Sequence, residues 1–138
     1  MRTVVDANVL ISALLSPKGS PARVVRAWQA GQFELIVSAR LLAELQRAFA
    51  YPKLRRLISA ADAEAVVWWL ARTATVVSDP DGPPPVHASD RDDDYLIALA
   101  AEQHAMLVSG DGHLLELVAE LPVRSPTSFL SLLAGSTG

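Results

Sequence analysis

Apolar positions along the chain fall into short β-branched runs separated by longer amphipathic stretches. Arg2-Thr3-Val4-Val5 reads as a buried strand that ends abruptly in the polar Asp6-Ala7-Asn8. Val9 to Leu15 lead from there into a loop at Ser16-Pro17-Lys18-Gly19. Ser20-Pro21 predicts a helix start, with Ser as cap and Pro in the first turn; Val24, Val25 and Trp28 share one face, and the stop falls near Gly31. Phe33 to Val37 is a second strand. Ser38 caps the next helix, whose apolar side is Leu41, Leu42, Leu45, Ala48 and Phe49, with a further turn or two after Pro52. Ser59 and Asp62 open a helix through Val66, Val67, Trp69 and Leu70 in the manner of a capping box. Thr75 to Val77 is a third strand, residues 78–90 are a Pro-rich surface loop, and Asp92-Asp93-Asp94 opens an apolar helix through Ala101. Met106 to Val108 is a fourth strand, His113 to about Glu120 a helix, Val123 a fifth strand, and Ser125-Pro126 the start of a last helix. Strands alternating with helices predict an α/β fold with a parallel sheet covered on both faces, one domain over residues 1–134 and a disordered tail at 135–138.

Composition narrows the function classes. The chain of 138 residues has no cysteine, which excludes disulfides, thiolate nucleophiles and thiolate metal sites. No apolar run approaches the ~18 residues of a membrane span, and the N-terminus lacks a signal-peptide layout, so a cytoplasmic protein with no membrane partner is expected. The net charge of −3 argues against a nucleic-acid partner until its distribution is read. Residues 1–72 carry ten Lys/Arg against five Asp/Glu, net +5, while residues 73–138 carry two against ten, net −8.

In an open parallel sheet, ligands bind beyond the carboxyl ends of the strands. Asp6 follows the first strand and Asp111 the fourth; Asp90, Asp92, Asp93 and Asp94 stand in a loop entering a helix, and Glu44 sits mid-helix at the edge of an apolar face. Taken singly each has an ordinary explanation: a turn residue for Asp6 and Asp111, a dipole-favoured helix start for the Asp run, a solvated face for Lys53, Arg55 and Arg56. His87, His104 and His113 have no zinc-ligand spacing, and the three tryptophans suit packing. Together, carboxylates drawn to one rim repel unless a hard cation, Mg²⁺ or Mn²⁺, lies among them. Such a site suits hydrolysis of a phosphate ester in a nucleic acid, with Arg23, Arg26, Arg40, Arg47, Lys53, Arg55 and Arg56 of the basic half as backbone contacts.

Four segments in this order and spacing resemble a PIN domain over nearly the whole chain: Val4-Val5-Asp6-Ala7-Asn8, Glu44 in its helix, Asp90-Arg91-Asp92-Asp93-Asp94-Tyr95-Leu96-Ile97-Ala98, and Val108-Ser109-Gly110-Asp111-Gly112. The subgroup it resembles is that of the VapC toxins. The resemblance implies a three-layer α/β/α sandwich around a central, mainly parallel sheet, and a Mg²⁺- or Mn²⁺-dependent endoribonuclease leaving a 5′-phosphate and a 3′-hydroxyl. It implies Asp6, Glu44, Asp94 and Asp111 as the catalytic and metal-holding acids; alignment of Asp94-Tyr95-Leu96-Ile97-Ala98 favours Asp94 over Asp93, which is left as an additional ligand. Asn8 and Ser109 are implied as polar supports. Partners implied are RNA and a cognate antitoxin; Val66, Trp68 and Trp69 are more numerous than one helix face needs, so some are expected to bury in an antitoxin interface or in a homodimer or higher oligomer. Alternatives are an RNA-processing nuclease with no antitoxin, or a non-catalytic binding module. A haloacid-dehalogenase-type phosphatase ranks below these, because Asn8 stands where it needs a second Asp.

Overall fold

Fourteen segments of regular structure follow one another in the computed structural model, which describes residues 1–136 with the side chain of Ser136 excepted. In chain order they are β1 (Arg2–Val5), α1 (Ala7–Leu15), α2 (Ser20–Gln29), β2 (Glu34–Ser38), α3 (Ala39–Phe49), α4 (Pro52–Arg55), α5 (Ala60–Thr73), β3 (Thr75–Val77), a 3-10 turn (Arg91–Asp93), α6 (Asp94–Glu102), β4 (Met106–Val108), α7 (Gly112–Leu115), β5 (Val123–Arg124) and α8 (Pro126–Ser136). The strands form one sheet in the order β3-β2-β1-β4-β5, every neighbouring pair parallel. Val4, Val5, Leu35, Ile36, Val37, Leu107 and Val108 are buried, as a parallel sheet covered on both faces requires.

Helix faces follow the spacing of their apolar residues. α3 buries Leu41, Leu45 and Phe49, one per turn, while residues 95–100 of α6 are buried throughout. α6 packs on β1 and β4; α1, α2, α3 and α5 pack against one another in series. Ser38, Ser59 and Ser125 each accept a backbone N–H of their helix's first turn, at 3.3, 3.1 and 3.1 Å. Gly31, with φ of +80°, closes the end of α2 in the left-handed conformation that glycine adopts without steric penalty.

Three local expectations change. Residues 7–15 are a helix rather than a lead-in to a loop, because Asp6 caps it by accepting Asn8 N–H and Val9, Leu10 and Ile11 are buried. Gly19, not Ser20, is the cap of α2; Ser20 lies inside it with its hydroxyl bonded to Thr127 Oγ1 at 2.9 Å. α7 is only four residues long, with turns continuing to Glu120. At the C-terminus, Gly135 and Ser136 of the expected tail are helical, and Thr137 and Gly138 lie outside the described residues. Among the described residues no helix is long and apolar enough to cross a membrane.

Candidate active site

The order of strands makes the site. β1 is central, with β2 on one side and β4 on the other, so the chain reverses its direction of build between β1 and β4. A crevice opens at the carboxyl ends of two such strands. Val5 pairs with Val108, which sets the next residues, Asp6 and Ser109, side by side. Asp6 is 6% exposed, its backbone N–H bonded to Val108 O at 2.9 Å. Ser109, fully buried, donates its hydroxyl to Asp6 Oδ2 at 2.9 Å and accepts Asp111 N–H at 3.0 Å. One serine therefore ties the two acids at the strand ends. Asp111 Oδ1 accepts His113 N–H at 2.8 Å, capping α7.

Asp93 and Asp94 part company. Asp90 caps the 3-10 turn by accepting Asp92 N–H at 3.0 Å, and the turn carries Asp93 against Asp111 and towards Asp6. Burial and the neighbouring Asp111 carboxyl push the Asp93 pKa up to about 7, and no protein donor reaches its buried Oδ2. Asp94 faces the other way. Its Oδ2 lies 2.7 Å from His87 Nδ1 and 3.7 Å from Arg91, and its Oδ1 accepts Ala88 N–H at 2.7 Å. The His87 hydrogen bond, with help from Ala88 N–H and the charge of Arg91, holds its pKa below the ordinary carboxylate range. In this arrangement it is Asp93, rather than the expected Asp94, that lies with Asp111 and Asp6. Successive residues of a helical turn diverge by about 100° or more, which sends the two carboxyls in different directions here. Sequence alignment by the apolar helix start could not see the tighter turn that precedes it.

Glu44, half-buried on α3, completes the rim: it acts electrostatically on Asp6 and accepts the Tyr95 hydroxyl through Oε2 at 2.7 Å. Burial raises the pKa of Asp6, with Asp111 and Glu44 adding to the effect. Burial and the Glu44 bond likewise raise that of Tyr95. The Asn8 side chain is exposed and lines a cleft of about 310 Å³ with Ser12, Gly110 and Asp111; its backbone N–H, at 3.3 Å, is what supports Asp6. Among the described residues no three acids close on one point as a finished coordination set. What is brought together is an all-oxygen donor set with a buried carboxylate oxygen lacking a donor, which fits a hard divalent cation.

The basic residues do not form one patch. Arg40, in the first turn of α3, lies with its guanidinium carbon 4.2 Å from the Tyr95 ring centre, and among the seven candidates it alone touches a neighbour of the acids. Arg47 shares the Glu44 face of α3 by spacing. Arg26 donates to Pro17 O at 2.8 Å and, with Arg23, lines a cavity against α8. Arg55 turns to Phe49 O at the C-terminal end of α3, at 3.4 Å; Lys53 stands with it on α4 and Arg56 just past its end. Tyr95, adjacent in sequence to the acids, is the site neighbour that sequence reasoning missed; its place among apolar helix residues concealed the hydroxyl's partner.

A second surface lies away from the rim. Leu10, Ala13, Leu14, Val25, Val66 and Trp69 line an apolar cleft of about 180 Å³ between α1, α2 and α5. Trp69 packs on Trp28 with ring centres 5.0 Å apart, so it is partly a core residue. Trp68 is 61% exposed, with the Arg72 guanidinium 4.7 Å from its ring centre.

A sequence profile of the PIN domain family matches residues 2–113. A protein of Methanocaldococcus jannaschii with no assigned role is 27% identical over 117 residues, which span 85% of this chain and 75% of the other. Among solved structures, the fold is similar to the crystal structure of VapBC2 from Rickettsia felis bound to a DNA fragment from their promoter, with a TM-score of 0.59 at 16% identity over 91% of this chain and 98% of that one.

Proposed function

From the premise that the chain belongs to the PIN domain family, we infer that it is a metal-dependent endoribonuclease and the toxin of a toxin–antitoxin pair. The observation that carries this reading is the convergence of Asp93 on Asp111 beside Asp6, where a buried carboxylate oxygen is left without a donor. Such an arrangement is unfavourable when its carboxyls are ionised, and either a proton or a bound cation relieves it. Asp6, Glu44, Asp93 and Asp111 would hold Mg²⁺ or Mn²⁺. When bound, the cation supplies a water of lowered pKa and offsets charge on the phosphoryl oxygens.

The chain's own residues do the rest. Ser109 fixes the rotamer of Asp6 and, through Asp111 N–H, the start of α7. Asp93 and Asp111 would hold the cation as carboxylates, so Asp93, with its raised pKa, would have to be deprotonated for the cation to bind. Glu44, with Oε2 held by Tyr95, keeps its other oxygen free to orient the attacking water. No histidine base is needed, and His87 is occupied with Asp94. Asp94 serves the site only by locking the loop that leads to Asp93.

The antitoxin reading rests on the resemblance to VapC toxins together with the apolar cleft between α1, α2 and α5, where exposed Leu14 and half-buried Trp69 suit a partner's apolar side chains. Trp68 suits the same partner or a second copy. Cleavage of structured RNAs in Mg²⁺ or Mn²⁺, with and without EDTA, tests the activity. Wild type should cut only with metal and Asp6→Asn should not cut; equal activity of the two overturns the site.

A further inference from the structure

Arg40 and Glu44 stand four residues apart on α3, the spacing at which oppositely charged side chains on a helix pair. They are not paired. The ion pairs among the described residues are Arg2–Glu34, His87–Asp94 and Arg91–Asp94. Between the two stands Tyr95 of α6, 6% exposed and therefore fixed: its hydroxyl donates to Glu44 Oε2 at 2.7 Å and its ring lies under the Arg40 guanidinium at 4.2 Å. Nor is Arg40 explained by helix stability. It lies in the first turn of α3, where the helix dipole disfavours a cation, and its own backbone N–H is held by Asp79 Oδ2 at 3.1 Å. A guanidinium stacked on an aromatic face keeps its N–H donors for a phosphate.

We propose that Tyr95 is a positioning residue that keeps Arg40 and Glu44 from neutralising each other: its hydroxyl orients Glu44 towards the acidic rim, and its ring presents Arg40 to an RNA phosphate neighbouring the one that is cut. The proposal rests on the ribonuclease reading and adds to it how the substrate backbone is held. Without the ring, Arg40 folds down onto Glu44, and both the phosphate contact and the free carboxylate are lost.

Two measurements separate the two arms of Tyr95. The first is fluorescence anisotropy of a labelled single-stranded RNA on the Asp6→Asn background in EDTA, across a NaCl series. Arg40→Gln should weaken binding by about 3- to 10-fold and lower the slope of log K against log salt by about 0.7. Tyr95→Leu should behave like Arg40→Gln although the arginine is still present, and Tyr95→Phe, which keeps the ring, should bind as its parent does. The second is Mn²⁺ affinity by electron paramagnetic resonance, with kcat and KM, in otherwise wild-type protein. Here Tyr95→Phe should lose about 10-fold in Mn²⁺ affinity and kcat with KM held, while Arg40→Gln should carry its loss in KM.

Parental RNA affinity and salt slope in Arg40→Gln overturn the phosphate contact. Wild-type kcat and Mn²⁺ affinity in Tyr95→Phe overturn the positioning of Glu44. If Tyr95→Leu fails to fold by thermal melting, these two variants still decide. A wild type that cuts RNA with both variants indifferent overturns this inference alone; a wild type that neither binds nor cuts RNA overturns the ribonuclease reading and the phosphate contact with it.

Discussion

The acidic rim and the apolar cleft are both open surfaces, yet they are built on opposite terms. At the rim, Asp6, Asp93 and Asp111 crowd charge into a partly buried space, and burial together with their mutual repulsion raises the pKa of Asp6 and Asp93. In the cleft, Leu10, Val25, Val66 and Trp69 are continuous with the core, and what is exposed there is only the outer edge of ordinary packing. Residues selected for folding stabilise the folded state by their presence. Residues selected for a ligand can destabilise it, and their removal reveals the difference.

The sharpest test sets activity against stability at the rim. Asp6→Asn should lower RNA cleavage by more than about 100-fold, the upper end of what second-layer partners of a metal contribute. The melting temperature of the metal-free protein should hold or rise, because Asn keeps an acceptor for Ser109 and removes a disfavoured charge. A variant that loses activity and melts early would make Asp6 a structural residue, as the cleft residues are. Asp93→Asn and Asp94→Asn repeat the test on neighbours. The first should abolish cleavage and raise the melting temperature in EDTA; the second should lower it by a few degrees, since it removes a charged acceptor from Ala88 N–H and His87.

In the cleft the expected order reverses. Trp69→Ala removes the ring packed on Trp28 and should destabilise the fold by about 2–3 kcal/mol in denaturant titrations, while the remaining folded protein still cuts RNA. Leu14→Asp, at a 42% exposed position, should change stability by under about 0.5 kcal/mol and act only on capture of the proposed antitoxin, read by co-purification from cells expressing the neighbouring reading frame.

Acidity acts on the rim and not on the cleft. Asp93 has a folded pKa of about 7 against an ordinary 3.8, so between these values the folded chain binds more protons than the unfolded one. Stability of the metal-free protein therefore falls as pH rises through this window. Asp94 has the opposite sign: its stabilising effect is present above the ordinary carboxylate pKa and is lost as pH falls through its lowered value. Melting curves in EDTA from pH 5 to 8 should decline with pH, and Asp93→Asn should flatten them.

Much of this was legible from residue order. Strand positions, the parallel sheet and the expectation that Asp6 and Asp111 share one rim follow from β-branched runs followed by polar residues, because the carboxyl end of a strand is defined by where its apolar run stops; Glu44, mid-helix, was assigned to it only by the resemblance. The choice between Asp93 and Asp94 was not legible, since it depends on a 3-10 turn whose only sequence signal is another aspartate, Asp90. Helix α1 was missed for a related reason. Its cap, Asp6, serves the rim and the helix at once, and the run Val9-Leu10-Ile11 has no helical periodicity of its own. The scatter of the basic residues depends on which helix end each one faces, which charge counting cannot show.

The segment from Asp79 to Ala88 carries four prolines and is fastened at both ends, by Asp79 to the first turn of α3 and by Asp94 to His87 and Ala88. It works as a strut of fixed length between the starts of two helices, the one bearing Arg40 and Glu44 and the one that follows Asp93. The ruler of the molecule thus lies in the stretch with no regular structure. Its two anchors tie the start of α3 to the approach to α6, so a change in its length acts on both at once.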